Sequence, residues 1–458
     1  MNHYSQADAN TATDLALAHV LLQRTETGDL THCPFMLAPA LVTDALIAQL
    51  ESLAQPLAWL IHQVAKNIDF LAEQLQATAA SDEYTGFLLS LAQEEQRRSD
   101  ALRFSITRSD YFMTQQKASL RQVEFNTIAA SYIGLAEKMS EFHRVWANMR
   151  RESWDLLPNK PITVVADAFA AAMALYGVAD ACVLFVVQAN ERNIFDQRLL
   201  EIALVERGIR VIRTSLETIG EQGELRQGHL MLNNKIAAIT YFRAGYRPDE
   251  LESKIARQGR QLISQSSTIS VPDLPTHLAG TKKIQQVLTN PEILKFFLND
   301  LEISLIKTAF AQISALDEPI ELNGKTMSAK EAAIANPEKF VLKPQREGGG
   351  FNLYDEDIRQ CLLNLESGDE EAYILMERLY PPVSSGWGVR QGKIWQGEVV
   401  HEIGQYGVLL AEGDHLISNQ AAGYLVRTKL SDANEGGISA GYGHLNSLVR
   451  DKAMSQTN

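Results

Sequence analysis

The segment from residue 181 to residue 246 constrains the fold of this chain more than any other. ACVLFVVQA (181–189) is a continuous apolar run and reads as a strand buried on both faces. NIFDQRLLEIALVERG (193–208) has helical spacing and meets Gly208 at the expected stop. IRVIRTS (209–215) and KIAAITYFR (235–243) read as a second and a third strand. Strand, short helix, strand requires parallel pairing through a right-handed crossover. Sheets of that kind take ligands beyond the carboxyl ends of their strands, which is where ERN (191–193) and RAGY (243–246) fall.

Around this unit the first third of the chain reads as mainly helical. TDLALAHVLLQ (13–23), APALVTDALIAQLESLA (38–54) and PLAWLIHQVAKNIDFLAEQL (56–75) carry apolar residues three and four apart, with Pro56 suited to a first helical turn. RQVEFNTIAAS (121–131) alternates as a strand does. The most apolar stretch, 164–187, is broken by Asp167, Gly177 and Asp180 and reads as a buried helix followed by a strand, not a membrane span. A polar, Ser-rich stretch (253–270) reads as a separator. Beyond it FVLK (340–343) predicts a strand, DEDIRQCLLNLES (355–367) a helix capped by Asp355, and AYILMERL (372–379) another strand.

Composition narrows the function. A length of 458 residues is too long for one small binding module, and a net charge of −14 suits no protein that tracks a phosphate backbone. Three cysteines, Cys33, Cys182 and Cys361, form no CxxC pair, which argues against a disulfide scaffold or a zinc site and fits a reducing compartment. The first residues show no basic and apolar leader, so a cytoplasmic protein is expected.

The densest chemistry is FVLKPQREGGGFNLY (340–354). Lys343 leaves a strand end, Glu347 follows, and Gly348, Gly349 and Gly350 form a hairpin whose N–H groups can close on phosphate oxygens. The lysine precedes the glycines, so this is not a Walker A loop. In QVEFNT (122–127), Glu124 and Asn126 share one strand face and offer two oxygen ligands suited to Mg²⁺. Arg108, in RSDY, is able to clamp a carboxylate or phosphate; a surface salt bridge with Asp110 is its plainer reading. GISAG (437–441) imitates a nucleophile elbow but lacks the strand before it and the later Asp and His. HEIGQ (401–405) has Gln405 where a second zinc ligand would stand.

Six motifs, RSDY with QVEFNTIAAS, QANERNIFDQR, ITYFRAGY, LAGTKKIQQ, KPQREGGGFNLY and LVRTK followed by GG, together resemble the eukaryotic-type glutathione synthetases and occur in that family's order. The resemblance implies an α/β, permuted ATP-grasp fold. A parallel-sheet substrate-binding unit (181–284) would be inserted into an ATP-grasp body, between a helical region with part of that body and the 121–131 strand (1–180) and the rest of the body with a glycine-rich lid (285–458). It also implies a homodimer that joins γ-glutamylcysteine to glycine with ATP and Mg²⁺, through an acyl phosphate, and that engages neither nucleic acid nor membrane.

By that resemblance, Glu124, Asn126 and Glu347 match the magnesium ligands, and Lys282, Lys343 and Lys429 match lysines on ATP. Gly348, Gly349, Gly350, Asn352 and Tyr354 match the lid, while Met376, Glu377, Arg378, Leu379 and Glu402 match the adenine and ribose end. Arg108, Lys343 and Arg427 match the catalytic cations, with Arg108 near the reacting carboxylate. Ser131, Glu191, Arg192, Asn193, Gln197, Arg243 and Tyr246 match the dipeptide site. Arg427, Ile438 and Ser439 match the glycine end. Ala129 stands where a serine is common, Phe351 where an asparagine is, and Ser439 where a small apolar residue is. Residues 383–398 match poorly. The same ligase with β-alanine or serine as acceptor, and a nucleotide-binding regulatory protein without catalysis, are the rival readings; a serine hydrolase built on Ser439 is a further one.

Overall fold

The computed structural model describes residues 3–95, 102–115, 119–346, 350–366, 368–438 and 441–451. Strands Arg210–Thr214, Cys182–Val186, Lys235–Phe242 and Ile269–Val271 lie side by side in that order, each parallel to its neighbour. Cys182–Val186 is buried at every position, as its unbroken apolar run requires. The helix Ile194–Glu206 makes the crossover, and Gly208 follows it at φ +75°.

The Ser-rich stretch is not a separator. It folds as the helix Lys254–Gln265 and the fourth parallel strand, Ile269–Val271. Its small residues let this helix lie against Leu216–Gln222: a Cβ on Gly259 would stand 2.1 Å from the Leu216 carbonyl oxygen, and one on Gly220 2.1 Å from that of Ile255. Polar composition here reflects close backbone approach, not a linker.

A seven-stranded sheet forms the second framework. Its order is Ser384–Arg390, Phe35–Met36, His444–Asn446, His415–Leu430, Lys393–Glu412, Leu102–Met113 and Leu120–Asn126. Ser384–Arg390 also pairs with the first part of Lys393–Glu412, so hydrogen bonding closes this end into a ring of five strands. Residues within 383–398, to which the sequence assigns no role, supply that closure. A small antiparallel sheet, Ile313–Ser314, Tyr373–Glu377 and Phe340–Pro344, carries Lys343. No described helix is long and apolar enough to cross a membrane.

Several local expectations are corrected. Pro56 does not begin a helix; it lies inside Asp44–Lys66. An interior proline costs about 3 kcal/mol. The stripe Leu46, Leu50, Leu53, Leu57, Leu60, Ile61 and Val64 runs unbroken across it into the core, and that burial outweighs the lost hydrogen bond. The helix read at 13–23 is Gln6–Ala18, started by a Ser5–Asp8 capping box and packed through Ala9, Ala12 and Ala16, small residues that leave a weak periodic signal. The helix read at 38–54 starts only at Asp44, because Ala40–Val42 pairs with Leu448–Arg450. The 121–131 strand ends at Asn126, and Ala129 and Tyr132 then take φ +50° and +70°, which extended backbone cannot. Asp355 is not a cap: Tyr354 holds that position, and Asp355 accepts from Arg378 at 2.6 Å.

Candidate active site

Register in the large sheet gathers the charged residues. Asp110 lies opposite Glu124 and Arg108 opposite Asn126 on one side; Gly404 faces Asp110 from the other, and Glu402 pairs with Arg427. Gly404 is required there, because a Cβ would stand 2.6 Å from Asp110 Oδ1 and 2.8 Å from Arg108 Cδ. The HEIGQ motif is thus a strand that makes room for an ion pair, and its His401 is buried against Ser384 and Thr428.

Asp110 is the hub. Arg108 donates to it through Nε at 2.6 Å and Nη2 at 2.8 Å, a bidentate pair. Arg427 Nη2 donates to the same carboxylate at 2.8 Å and also to Glu402. Asn126 Nδ2 reaches it at 3.1 Å. Asp110 is fully buried and Arg108 only 5% exposed, so the surface salt bridge expected for this pair is a buried one. Burial alone would draw protons from Arg108 and Arg427. The adjacent carboxylates, Asp110 for Arg108 and Glu402 first for Arg427, reverse this and raise both pKa values.

Beside the hub, Lys282 Nζ lies 3.6 Å from Glu124, and Lys343 Nζ donates to the Val123 carbonyl at 2.7 Å. Burial would raise the Glu124 pKa, but Lys282, Lys343, Arg427 and Arg108 hold it well below the usual carboxylate range. Burial pushes Lys343 down to about 8, helped by Lys282 and opposed by Glu124. Burial also raises the pKa of Glu402, with Arg427 opposing.

These groups line a cavity of about 230 Å³ together with Ala129, Ser131, Tyr246, Arg346, Phe351, Asn352, Tyr354 and Lys429. A second cleft of the same size adjoins it and shares Phe112, Val123, Lys343, Asn352, Tyr354 and Lys429. Its far end is apolar, with Val341, Met376, Leu379, Val383 and Val400. One end carries cations and the other accepts a flat apolar ring, an arrangement that suits a nucleoside triphosphate.

The family model described as eukaryotic glutathione synthase, ATP binding domain, matches residues 4–449. The chain belongs to that family. The chloroplastic glutathione synthetase of Solanum lycopersicum is 37% identical over 433 residues, covering 92% of this chain and 78% of the relative. Glutathione synthetase of Homo sapiens is 36% identical over 452 residues, covering 94% of each chain. The apo structure of a glutathione synthetase-like effector from Globodera pallida superposes with a TM-score of 0.77 at 19% identity over 97% of each chain, a likeness of fold.

Within this glutathione synthase fold, the residues expected to act fall into three groups. Arg108, Glu124, Asn126, Lys282, Lys343, Asn352, Tyr354, Arg427 and Lys429 converge on the polar cleft, with Ala129, Ser131 and Tyr246 at its edge. Glu191, Asn193 and Gln197 sit past the carboxyl end of Cys182–Val186, where Glu191 accepts from the Asn193 N–H and Gln197 Nε2, both at 2.8 Å. Arg243 is buried beside them, 3.9 Å from Asp196. Other placements differ from expectation. Glu402 lies with Arg427 in the polar cleft, away from the Met376–Leu379 end. Arg192 pairs with Glu26 at 3.4 Å, and Ile438 is 1% exposed within the core. The third group, Met376, Glu377, Arg378 and Leu379, lines the second cleft, where Glu377 accepts from the Gln312 N–H at 2.9 Å and Arg378 is held by Asp355 and Asn434. Glu347, Gly348, Gly349 and Ser439 lie outside the described residues.

Of three further residues that act here, two carried little signal in the sequence. Asp110 was legible as the i+2 neighbour of Arg108 on one strand face. Asp196 accepts from the N–H groups of Tyr132, Gly134 and Leu135, capping the helix Ile133–Arg150, whose own preceding residue provides no side-chain cap. Tyr406 donates to the Ser131 carbonyl at 2.6 Å. Neither of these last two partnerships leaves a local pattern, because the partners lie 61 to 275 residues apart.

The position of Lys343 near pH 8 gives a test. ATP, an anion, held against Lys343 would favour the charged amine, so its binding would take up a proton above pH 8. Its Kd should be flat below pH 8 and rise about tenfold per unit above it. Calorimetric titration in buffers of different ionisation enthalpy checks this, and Lys343→Arg, which stays charged, should flatten the profile.

Proposed function

We propose that this chain is an ATP- and Mg²⁺-dependent ligase that joins γ-glutamylcysteine to glycine, releasing glutathione, ADP and phosphate. The observation that carries the reading is the continuity of the two clefts: Lys343 belongs to both, so a triphosphate spanning them would end beside Arg108, Arg427 and Glu124. The matching family and its glutathione synthetase members support the same reaction. A permuted ATP-grasp body of 1–180 and 285–458, with 181–284 inserted and a lid at 348–354, completes the proposal. A homodimer in the cytoplasm belongs to it as well.

The chain's own groups account for the chemistry. Arg108 and Lys343 offset repulsion as a carboxylate oxygen of the cysteinyl residue attacks the γ-phosphorus and the bond to ADP breaks. Arg427 then orients the acceptor carboxylate. The acceptor amine attacks the acyl carbon, phosphate leaves, and the amine loses a proton. Glu191, Asn193, Gln197 and Arg243 hold the γ-glutamyl end. Glu124 and Asn126 are hard oxygen donors on one strand face, and Asn126 Nδ2 is spent on Asp110 and the Arg108 carbonyl, which leaves its Oδ1 turned to accept. With Glu347 they suit Mg²⁺, which when bound would neutralise phosphate charge.

The direct assay is ADP release with ATP, Mg²⁺ and γ-glutamylcysteine, adding glycine, β-alanine or serine in turn. Dependence on both dipeptide and glycine is expected. Release with another acceptor alone would change the product, and ATP binding without release under any condition would overturn catalysis. Arg427→Ala should raise the KM for glycine at least about tenfold while moving that for ATP less, through loss of a charge-assisted hydrogen bond. The reverse order would remove Arg427 from the acceptor end.

A further inference from the structure

Glu250 lies on the single turn Pro248–Leu251, just past RAGY, and is half-buried. Its Oε2 accepts from three consecutive N–H groups, those of Gly245 at 2.9 Å, Tyr246 at 3.1 Å and Arg247 at 3.0 Å. Three successive N–H groups turned to one point form an anion nest, and Gly245, at φ +87°, supplies the backbone reversal it needs. The other oxygen, Oε1, accepts from Gln188 Nε2 at 2.7 Å. Gln188 stands two residues past the strand Cys182–Val186 and three before Glu191.

One carboxylate therefore ties together the two loops that leave the carboxyl ends of adjacent parallel strands. The first loop carries Glu191 and Asn193. The second carries Arg243 and Tyr246, and Tyr246 lines the polar cleft. From outside, Tyr84 donates to the Gly245 carbonyl at 3.1 Å and fixes the same turn. Glu250 itself is absent from the cleft lining, so it acts through the residues it holds.

We infer that Glu250 is a positioning residue that sets the separation between the two arms gripping the γ-glutamyl end of the dipeptide. The inference rests on the function proposed above. Without this carboxylate, three N–H groups lose their acceptor and the two loops lose their link, while the adjoining apolar cleft, lined by neither loop, is untouched.

The test compares Glu250→Ala with Glu250→Gln. In Glu250→Ala the KM for γ-glutamylcysteine should rise at least about tenfold, with the KM for ATP within about twofold. The rise in melting temperature that γ-glutamylcysteine induces should vanish, while that induced by ATP persists. Glu250→Gln keeps one oxygen for the nest and should return the dipeptide KM to within about threefold of wild type. If Glu250→Ala does not fold, Gln188→Leu, which cuts only the link between loops, must show the same selective loss in smaller degree. An unchanged dipeptide KM, or equal rises for dipeptide and ATP, would overturn the role of Glu250. A wild-type enzyme with no dipeptide-dependent ADP release would overturn the proposed function, and this inference with it.

Discussion

Asp110→Ala is expected to abolish turnover and to cost about 3–5 kcal/mol of stability, the range for breaking one side of a buried ion pair. Asp110 is the shared acceptor of Arg108 and Arg427 and is fully closed to solvent. Removing it leaves both guanidinium groups buried, with Glu402 reaching only Arg427. Among the described residues, the Arg108 guanidinium would keep one hydrogen bond, to the Ser131 carbonyl at 3.4 Å. Urea unfolding followed by fluorescence measures the stability, and ADP release the turnover. A loss below about 1 kcal/mol would mean that water reaches the pair and screens it as at a surface. Asp110→Asn should retain more stability than alanine, since it still accepts one hydrogen bond, yet should be as inactive.

Lys343→Met should lower kcat by a factor on the order of 10² to 10³, the usual cost of removing one preorganised charge from a phosphoryl-transfer site. Lys343 is 4% exposed and lines both the apolar and the cationic cleft. Its removal also leaves Glu124 with Lys282 as its first neutralising charge. Lys343→Arg should recover only part of the rate, because a forked guanidinium does not fit where a compact ammonium donates to the Val123 carbonyl. A kcat within about threefold of wild type for Lys343→Met would place the transferred phosphate elsewhere. Fold must be checked alongside, for instance by melting temperature with and without ATP.

The parallel unit was the most legible part of the sequence, because strands buried on both faces are written as apolar runs and their crossover as a helical period. Cys182–Val186, Arg210–Thr214 and Lys235–Phe242 lie within three residues of where hydropathy puts them. Local pattern failed where a distant partner decided. Ala40–Val42 became a strand through Leu448–Arg450, far along the chain, and Pro56 stayed helical because core burial overrode its backbone penalty. Lys254–Gln265 was hidden by its polarity, since it packs through Ala256, Gly259 and Ile263 and buries Arg260 against the Phe242 ring at 3.9 Å. At the site, residue types were visible but pairings were not. That Arg108, Asp110, Glu402 and Arg427 form one network follows from strand register, and register is a property of the sheet as a whole. Glu402 illustrates the point, being placed beside Arg427 by cross-strand pairing.

Activation of a carboxylate by phosphorylation, ahead of peptide-bond formation, leaves an isotopic trace. The measurement supplies γ-glutamylcysteine labelled with ¹⁸O in the cysteinyl carboxylate, together with ATP, Mg²⁺ and glycine, and follows the label by mass spectrometry. One ¹⁸O should appear in inorganic phosphate for each glutathione formed, because the oxygen that attacks the γ-phosphorus leaves with it. Phosphate free of label while glutathione accumulates would contradict the acyl-phosphate route and the roles given to Arg108 and Lys343.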